Sequence, residues 1–194
     1  MTTSRSHQTE RPQTRRVFFA AQPDSAARSA IAEALQTYPV DPDASRRLRW
    51  LDAAGWHVTL RFVGNVSPEL LPALQACISA IERFTISFAT IEPFPSARRP
   101  LVLAVTGSAA APGQALAETL EHRCRALALP PVTRPWRPHL SVARVRGRRS
   151  LRLSPQPLEL SMRVSRFVLM ESVQEPSGNR YVPLDPIPPA DSLM

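Results

Sequence analysis

His57-Val58-Thr59-Leu60 returns 82 residues later as His139-Leu140-Ser141-Val142. Both copies read histidine, apolar, hydroxyl, apolar, and both lie in short runs with strand character, WHVTLRFV over 56–63 and PHLSVARV over 138–145. Successive side chains on a strand point to opposite faces, so the histidine and the hydroxyl two residues on share one face. Val58 and Leu60, like Leu140 and Val142, then turn toward a core. One copy alone carries little information, because a single histidine beside a β-branched residue is usually structural. Two copies with the same spacing imply two halves of one fold, each offering a His-x-hydroxyl pair to a shared groove.

Outward from these strands, the rest of the chain reads as a mixture of elements. Residues 15–21 (RRVFFAA) form a first strand, and 25–38 an Ala-rich helix with Ile31 and Leu35 four apart. Residues 39–49 read as a charged, Pro-containing loop, with a short extended piece at Trp50-Leu51. Ser67-Pro68 marks the start of a helix running to about Arg83. Alternation of Phe84, Ile86 and Phe88 marks a half-buried strand over 84–92, followed by a loop over 93–100 and a strand over 101–106. Residues 112–127 form a helix with Leu116, Leu120, Cys124 and Leu127 on its apolar face and His122 on its polar side. Residues 129–138 are an extended approach to the second motif, and Arg146–Arg149 a basic loop. One or two strands follow over 157–173, then a turn at 174–179 and a closing strand over 181–184.

That order, β-α-β-α-β-β-α-β-β-β, lacks the strict alternation of a doubly wound parallel sheet. It fits an α+β fold in which helices pack outside mainly antiparallel strands. The strand–helix pieces around the two motifs point to a pseudo-duplicated, two-lobed arrangement. Residues 15–186 are read as one domain, 1–14 as a polar disordered tail and 187–194 as a C-terminal tail.

The chain has 194 residues and a formal charge of +8, and every one of its basic residues is arginine. A planar guanidinium suits phosphate, so the charge favours an anionic partner, although a solvated basic surface has the same composition. Aromatic residues make up 6% of the chain and form no stripe, which argues against a dedicated single-strand stacking platform. Cys77 and Cys124 form no CxxC and imply no disulfide framework; buried thiols in a reducing compartment are expected. There is no apolar run of membrane-spanning length and no secretory h-region, so a cytoplasmic protein without membrane contact is expected.

Two histidines facing each other across a groove suit acid–base catalysis, because each has an ordinary pKa near ~6.5 and one can be neutral while the other is charged. Hydroxyls two residues along can hold a phosphoryl oxygen. Opening a cyclic phosphodiester by water needs a base on one side of phosphorus and an acid on the other, which is what opposing strands would provide. No metal is needed for this, and no Asp/Glu/His cluster has ligand spacing. Arg61, four after His57, keeps the parity of His57 and Thr59. Arg144, five after His139, falls on the opposite parity and reaches the groove only if the strand ends or bulges. For both, a phosphate clamp stands beside a solvated surface arginine. Trp136, between two prolines, either stacks on a base or covers a core edge.

At this point the sequence resembles the 2H phosphoesterases, specifically the RNA 2′,3′-cyclic phosphodiesterases once described as 2′-5′ RNA ligases. RVFFAAQPD, HVTLRFVGNV, RPWRPHLSVAR and ESVQEPSGNRYVPL carry the match, in the family's order from about residue 15 to 184. The resemblance implies a bilobal α+β fold with a central cleft. It implies metal-independent, cofactor-free conversion of RNA 2′,3′-cyclic phosphate ends to 2′-phosphomonoesters, on substrates such as tRNA fragments. By the same analogy His57 is the general acid, His139 the general base, and Thr59 and Ser141 hold phosphate oxygens. Arg144 occupies the family's basic position after the second motif, and Trp136 the place of an aromatic beside the nucleobase. The chain departs from the family at Ser141, where Thr is commoner, at Asn65, where an acidic residue is usual, and in the lead into His57. These departures bear on substrate preference. Reverse 2′-5′ ligation is expected as a side activity, and a monomer is expected. The alternatives are a non-catalytic Arg-rich RNA-binding module and a phosphodiesterase for small cyclic nucleotides.

Overall fold

The first strand, β1 (Arg15–Ala21), is apolar over its last five residues, and all five are buried. A strand buried on both faces must lie inside a sheet with cover on each side. In a computed structural model, which describes residues 14–78, 83–147, 153–164, 166–176 and 178–184, β1 sits between two antiparallel neighbours. Asp24 then caps α1 (Ser25–Gln36), its carboxylate accepting from the Ala27 amide at 2.8 Å.

The segment expected to be a loop over 39–49 is more regular than that. Asp41 caps a short helix, α2 (Pro42–Arg47), with Pro42 at its first position, and β2 (Leu48–Trp50) follows directly. The first motif opens β3 (Val58–Val66). The helix expected from Ser67 to Arg83 is interrupted: a 3-10 turn over Pro68–Leu70 precedes α3 (Leu71–Ala76). Pro72 has no N–H to continue a ladder from the preceding turn, so it can stand only in the first turn of a new helix. The end of that expected helix, 79–82, lies outside the described residues, as do 1–13, 148–152 and 185–194.

β4 (Phe84–Phe94) and β5 (Val102–Ala109) form the next hairpin, with β4 reaching two residues into the expected loop. α4 (Ala111–Ala126) follows, with Leu116, Leu120 and Cys124 buried as its apolar spacing requires and His122 exposed. The second motif strand, β6 (His139–Val145), has its expected bounds. The stretch 157–173 resolves into two strands, β7 (Gln156–Val164) and β8 (Phe167–Glu175), and β9 (Gly178–Leu184) closes the chain.

All pairings are antiparallel, in the order β7-β4-β5-β6-β3-β1-β8-β9, with β2 on β6. The architecture is therefore α+β, a mainly antiparallel sheet curled into a half-barrel. It divides at its middle: β3-β1-β8-β9 surrounds the first motif and β6-β5-β4-β7 the second. Each half repeats one unit, a strand, a helical excursion and an antiparallel strand that carries the histidine: β1–α1–β3 and β5–α4–β6. Only one residue pair, Val58 with Leu140, registers the halves along β3 and β6. The helices add further ties, because α1 packs on β7 and α4 on β3 as well as on its own half. The main core fills the space between helices and sheet, and a smaller cluster of Phe18, Ala20, Val168 and Met170 lies on the other face. Cys77 and Cys124 are free and buried, and burial pushes the Cys124 thiol up to about 11.

Candidate active site

Val58 and Leu140 are both fully buried, and they face each other across β3 and β6. In an antiparallel pair the neighbours of matched residues are matched crosswise. Thr59 therefore stands opposite His139, and His57 opposite Ser141. The four polar residues lie on the face away from the core, related by a local twofold axis through the Val58–Leu140 pair.

Both strands then break parity at the same place. On β3 the register with β1 passes from Arg61 to Thr59 without a partner for Leu60. On β6 the register with β5 passes from Ala143 to Ser141 without a partner for Val142. Each skipped residue is the third after its histidine, and each is a β-bulge that adds one residue to its strand. Burial follows: Leu60 and Arg61 are buried in succession, and so are Val142 and Ala143. The residue four after each histidine is turned to the core and the residue five after is returned to the polar face. Arg144 thus reaches the site through a bulge, the condition its parity required.

Arg61 is corrected by the same device. It does not share the face of Thr59, and it is neither a solvated arginine nor a phosphate clamp. It is 4% exposed, with Nε donating to Glu121 Oε2 at 3.0 Å, Nη1 to the Phe62 carbonyl at 2.9 Å and Nη2 to the Pro130 carbonyl at 2.7 Å. Its guanidinium pins α4 and the start of the 130–138 segment to β3.

The imidazoles are held alike. Nδ1 of His57 lies 2.8 Å from the Gly55 carbonyl, and Nδ1 of His139 lies 2.9 Å from the Arg137 carbonyl, each two residues upstream. A carbonyl can only accept, so both Nδ1 atoms carry hydrogen and both Nε2 atoms are left for proton transfer. Burial is the main cause that holds both rings below their usual 6.5, partly offset by those carbonyls. The charges of His139 and Arg144 lower His57 further, and that of Arg137 lowers His139.

Their surroundings differ. His57 packs against Phe18 (centroids 4.9 Å apart) and meets the edge of Tyr181 at 4.8 Å. His139 stacks flat on Phe94 at 4.1 Å. Arg144 Nη2 donates to the Tyr181 hydroxyl, while Arg144 Nε is buried with no hydrogen-bond partner among the described residues. A buried unpaired guanidinium N–H is costly unless a ligand completes it, and here it belongs to an arginine whose charge is felt by His57. Trp136 donates its indole N–H to the Thr59 carbonyl at 2.8 Å, so it braces the approach to His139 against β3. Phe18, Phe94 and Tyr181 were not singled out by the sequence. Each sits in an ordinary strand pattern, and only the sheet order brings it to a histidine.

Among the described residues, no three His, Cys, Asp or Glu side chains converge as metal ligands, and no helix is long and apolar enough to cross a membrane. The arrangement can deliver and remove one proton each at two Nε2 atoms, with hydroxyls and one arginine between them for an anion.

Residues 22–175 match the family model of the 2′-5′ RNA ligase superfamily. The chain belongs to that superfamily, the 2H phosphoesterases. Among curated relatives, it is 28% identical over 107 residues to a protein of Aeropyrum pernix named RNA 2′,3′-cyclic phosphodiesterase; the match spans 54% of this chain and 61% of that one. Among solved structures, the superfamily fold recurs in TT0787 of Thermus thermophilus, with a TM-score of 0.74, 27% identity and coverage of 88% of this chain and 95% of that one. It recurs also in E. coli LigT complexed with 3′-AMP, with a TM-score of 0.71, 24% identity and coverage of 89% and 96%.

Proposed function

We propose that this 2H phosphoesterase hydrolyses RNA 2′,3′-cyclic phosphate ends to 2′-phosphomonoesters, with two histidines as base and acid and no metal ion. The observation that carries the reading is the matched anchoring of the imidazoles. Both Nδ1 atoms are committed to backbone carbonyls, which frees two Nε2 atoms on one face about a single axis. Binding alone would need no such pair. The name of the A. pernix relative supports the same substrate class.

In the proposed reaction His139 Nε2 takes a proton from water as the water oxygen bonds to phosphorus. The bond from phosphorus to the 3′ oxygen breaks, and His57, as imidazolium, protonates that oxygen. The products are a 2′-phosphomonoester and a 3′-hydroxyl, and proton exchange with solvent resets the pair. Thr59 and Ser141 hydrogen-bond the non-bridging oxygens, and Arg144 supplies its unpaired Nε–H to the same anion. The assignment of acid to His57 and base to His139 follows the family resemblance. Burial favours the neutral form of both rings in the free protein, which suits the base. The acid is charged on binding, because a phosphodiester anion offsets the repulsion from Arg144 and favours imidazolium. An RNA 5′-hydroxyl in the place of the attacking water would bond to phosphorus as the 3′ oxygen leaves and give a 2′-5′ linkage, a side activity because water is in great excess.

The test is a short RNA ending in a 2′,3′-cyclic phosphate, incubated in EDTA with wild type, His57→Ala and His139→Ala. A product resistant to a 3′-specific phosphatase, formed by wild type alone, is expected. Strict dependence on added metal, or turnover unaffected in either variant, would overturn the reading.

A further inference from the structure

Beside His139 an open groove of about 980 Å³ runs away from the reaction centre. It begins at Thr59 and His139 and is not lined by His57, Ser141, Arg144 or Tyr181. Its far wall is one face of α4, from Gln114 to Arg125, or about 17 Å at the ~1.5 Å rise per residue of a helix. Its near wall is the 132–137 segment that leads to His139. Its size is at the top of the ~300–1,000 Å³ range of small-ligand sites, and it is elongated rather than closed.

The walls carry two kinds of group. Phe62, with Arg16 over its ring and Phe18 stacked at 6.0 Å, and Trp136 present aromatic surface, and Arg125 and Arg134 present cations, while Phe94 is already taken up by His139 and the Arg137 guanidinium. Phe62 is 43% exposed and Val132 46%, two of the few large apolar side chains so open to solvent. Arg125 and Arg134 are exposed and have no ion pair among the described residues. The carboxylates in the lining are Glu121, already bound to Arg61, and Glu118. Cations interleaved with exposed rings along a path match an alternation of phosphates and bases, the pattern of a single-stranded nucleic acid.

We propose that this groove binds the single-stranded RNA immediately 5′ of the cyclic phosphate, so that the protein selects oligonucleotide ends over mononucleotides. The inference rests on the hydrolytic reading above and deepens it. A 2′,3′-cyclic phosphate is by its chemistry a 3′ end, and the chain attached to it must leave the site on one side. The side that is open, cationic and aromatic is the His139 side. Bases stack on Phe62 and Trp136 while Arg125 and Arg134 neutralise backbone phosphates. At ~3.4 Å per stacked nucleotide, the α4 wall accommodates a few nucleotides and not a long tract.

The experiment compares kcat/KM for uridine 2′,3′-cyclic phosphate with that for oligouridylates of two to six nucleotides carrying the same end. For wild type, kcat/KM should rise about tenfold or more over the first few nucleotides and then level. The gain should shrink with salt, by a slope of about 0.7 in log–log terms for each phosphate contacted. The double variant Arg125→Ala, Arg134→Ala should lose most of the gain and leave mononucleotide turnover unchanged. Equal kcat/KM at all lengths in wild type, or a gain that survives in the double variant, would overturn the proposal. Anisotropy with 5′-fluorescein oligouridylates ending in a 2′-phosphate gives a second reading. Affinity that depends on length and on the two arginines, without turnover of any substrate, supports the groove and sinks only the hydrolytic reading.

Discussion

The two halves of the site are alike in backbone and unlike in cover. Each histidine stands two residues before a hydroxyl and three before a bulge, and each ties Nδ1 to the carbonyl two residues upstream. Around His57, however, Phe18, Tyr181 and Arg144 close in from β1, β9 and β6. Around His139, Phe94 covers one face of the ring and the rest opens to the groove along α4. The lesson is that repeated backbone sets the tautomer and direction of both rings, while unrepeated side chains decide what each ring does. Position five after the histidine shows this most plainly. It is Arg144 on one strand and Phe62 on the other. One half therefore carries a cation at this position, and the other a ring.

The largest test of the likeness is removal of either ring. His57→Ala and His139→Ala should each lower kcat/KM by about 10²–10⁴. The double variant should be little worse than the single ones, because the pair works as a unit. Additive losses would mean that the halves act independently and would break the comparison. The titration of the rings tests the same point. In the free protein both should titrate below 6.5, followed by NMR of the imidazole carbon-bound protons, and bound phosphate should raise them. The sign carries over to stability. A ring with a lowered folded pKa binds its proton more readily in the unfolded chain. Its contribution is complete above about 6.5 and is lost as pH falls through the interval below that value. Urea unfolding at pH 7.5 and 5.5 should show a smaller drop in the double variant than in wild type.

The next largest effect belongs to Arg144, the member of the pseudo-symmetric pair that carries charge. Its loss removes charge-assisted hydrogen bonds of about 1.5–3 kcal/mol, so Arg144→Ala should cost about 10–100-fold in kcat/KM. Arg144→Lys keeps the charge but not the fork, and should recover only part of the loss. Phe62→Ala, at the matching position, should leave mononucleotide turnover nearly intact. Equal losses at the two positions would mean that their different chemistry does not matter.

Much of this was legible in the sequence, and the limits have physical causes. The duplicated His-x-hydroxyl pattern located both motif strands, because alternation is local and each motif sits in a strand with a buried face. The helices over α1 and α4 were legible from their apolar spacing. Parity beyond the motifs was not read correctly for Arg61, because a bulge is set by pairing with the neighbouring strand, and the apolar run around Arg61 (Leu60, Phe62, Val63) does not mark it. The segment read as a loop over 39–49 hid α2, since six residues capped by Asp41 are too few to show a period. Phe94 and Tyr181 belong to the site through sheet order alone. β9 reaches His57 because β8 pairs with β1, a long-range choice that no window of sequence contains.

A smaller effect is expected at Tyr181, which acts on the anion through Arg144. Tyr181→Phe keeps the ring edge against His57 and removes the oxygen that accepts from Arg144 Nη2. The donor is a charged guanidinium, but the bond acts on the anion only by positioning Arg144, so a loss of about fivefold in kcat/KM is expected, with thermal stability little changed. Tyr181→Phe combined with Arg144→Ala should be no worse than Arg144→Ala alone. A further loss in the combined variant would assign the tyrosine a role of its own at the His57 ring.

The smallest change probes the axis itself. Thr59 and Ser141 are matched across the Val58–Leu140 pair and differ by one methyl group. Ser141 lies half-buried opposite Ala104, a small neighbour that leaves the second strand room for a branched side chain. Ser141→Thr keeps the hydroxyl on the same face and narrows its rotamer choice, as Thr59 already does. Activity should stay within about threefold of wild type, whereas Ser141→Ala should cost about fivefold through the lost hydrogen bond. If the added methyl is worse than the lost hydroxyl, the two hydroxyls do not occupy equivalent places, and the twofold relation ends at the histidines.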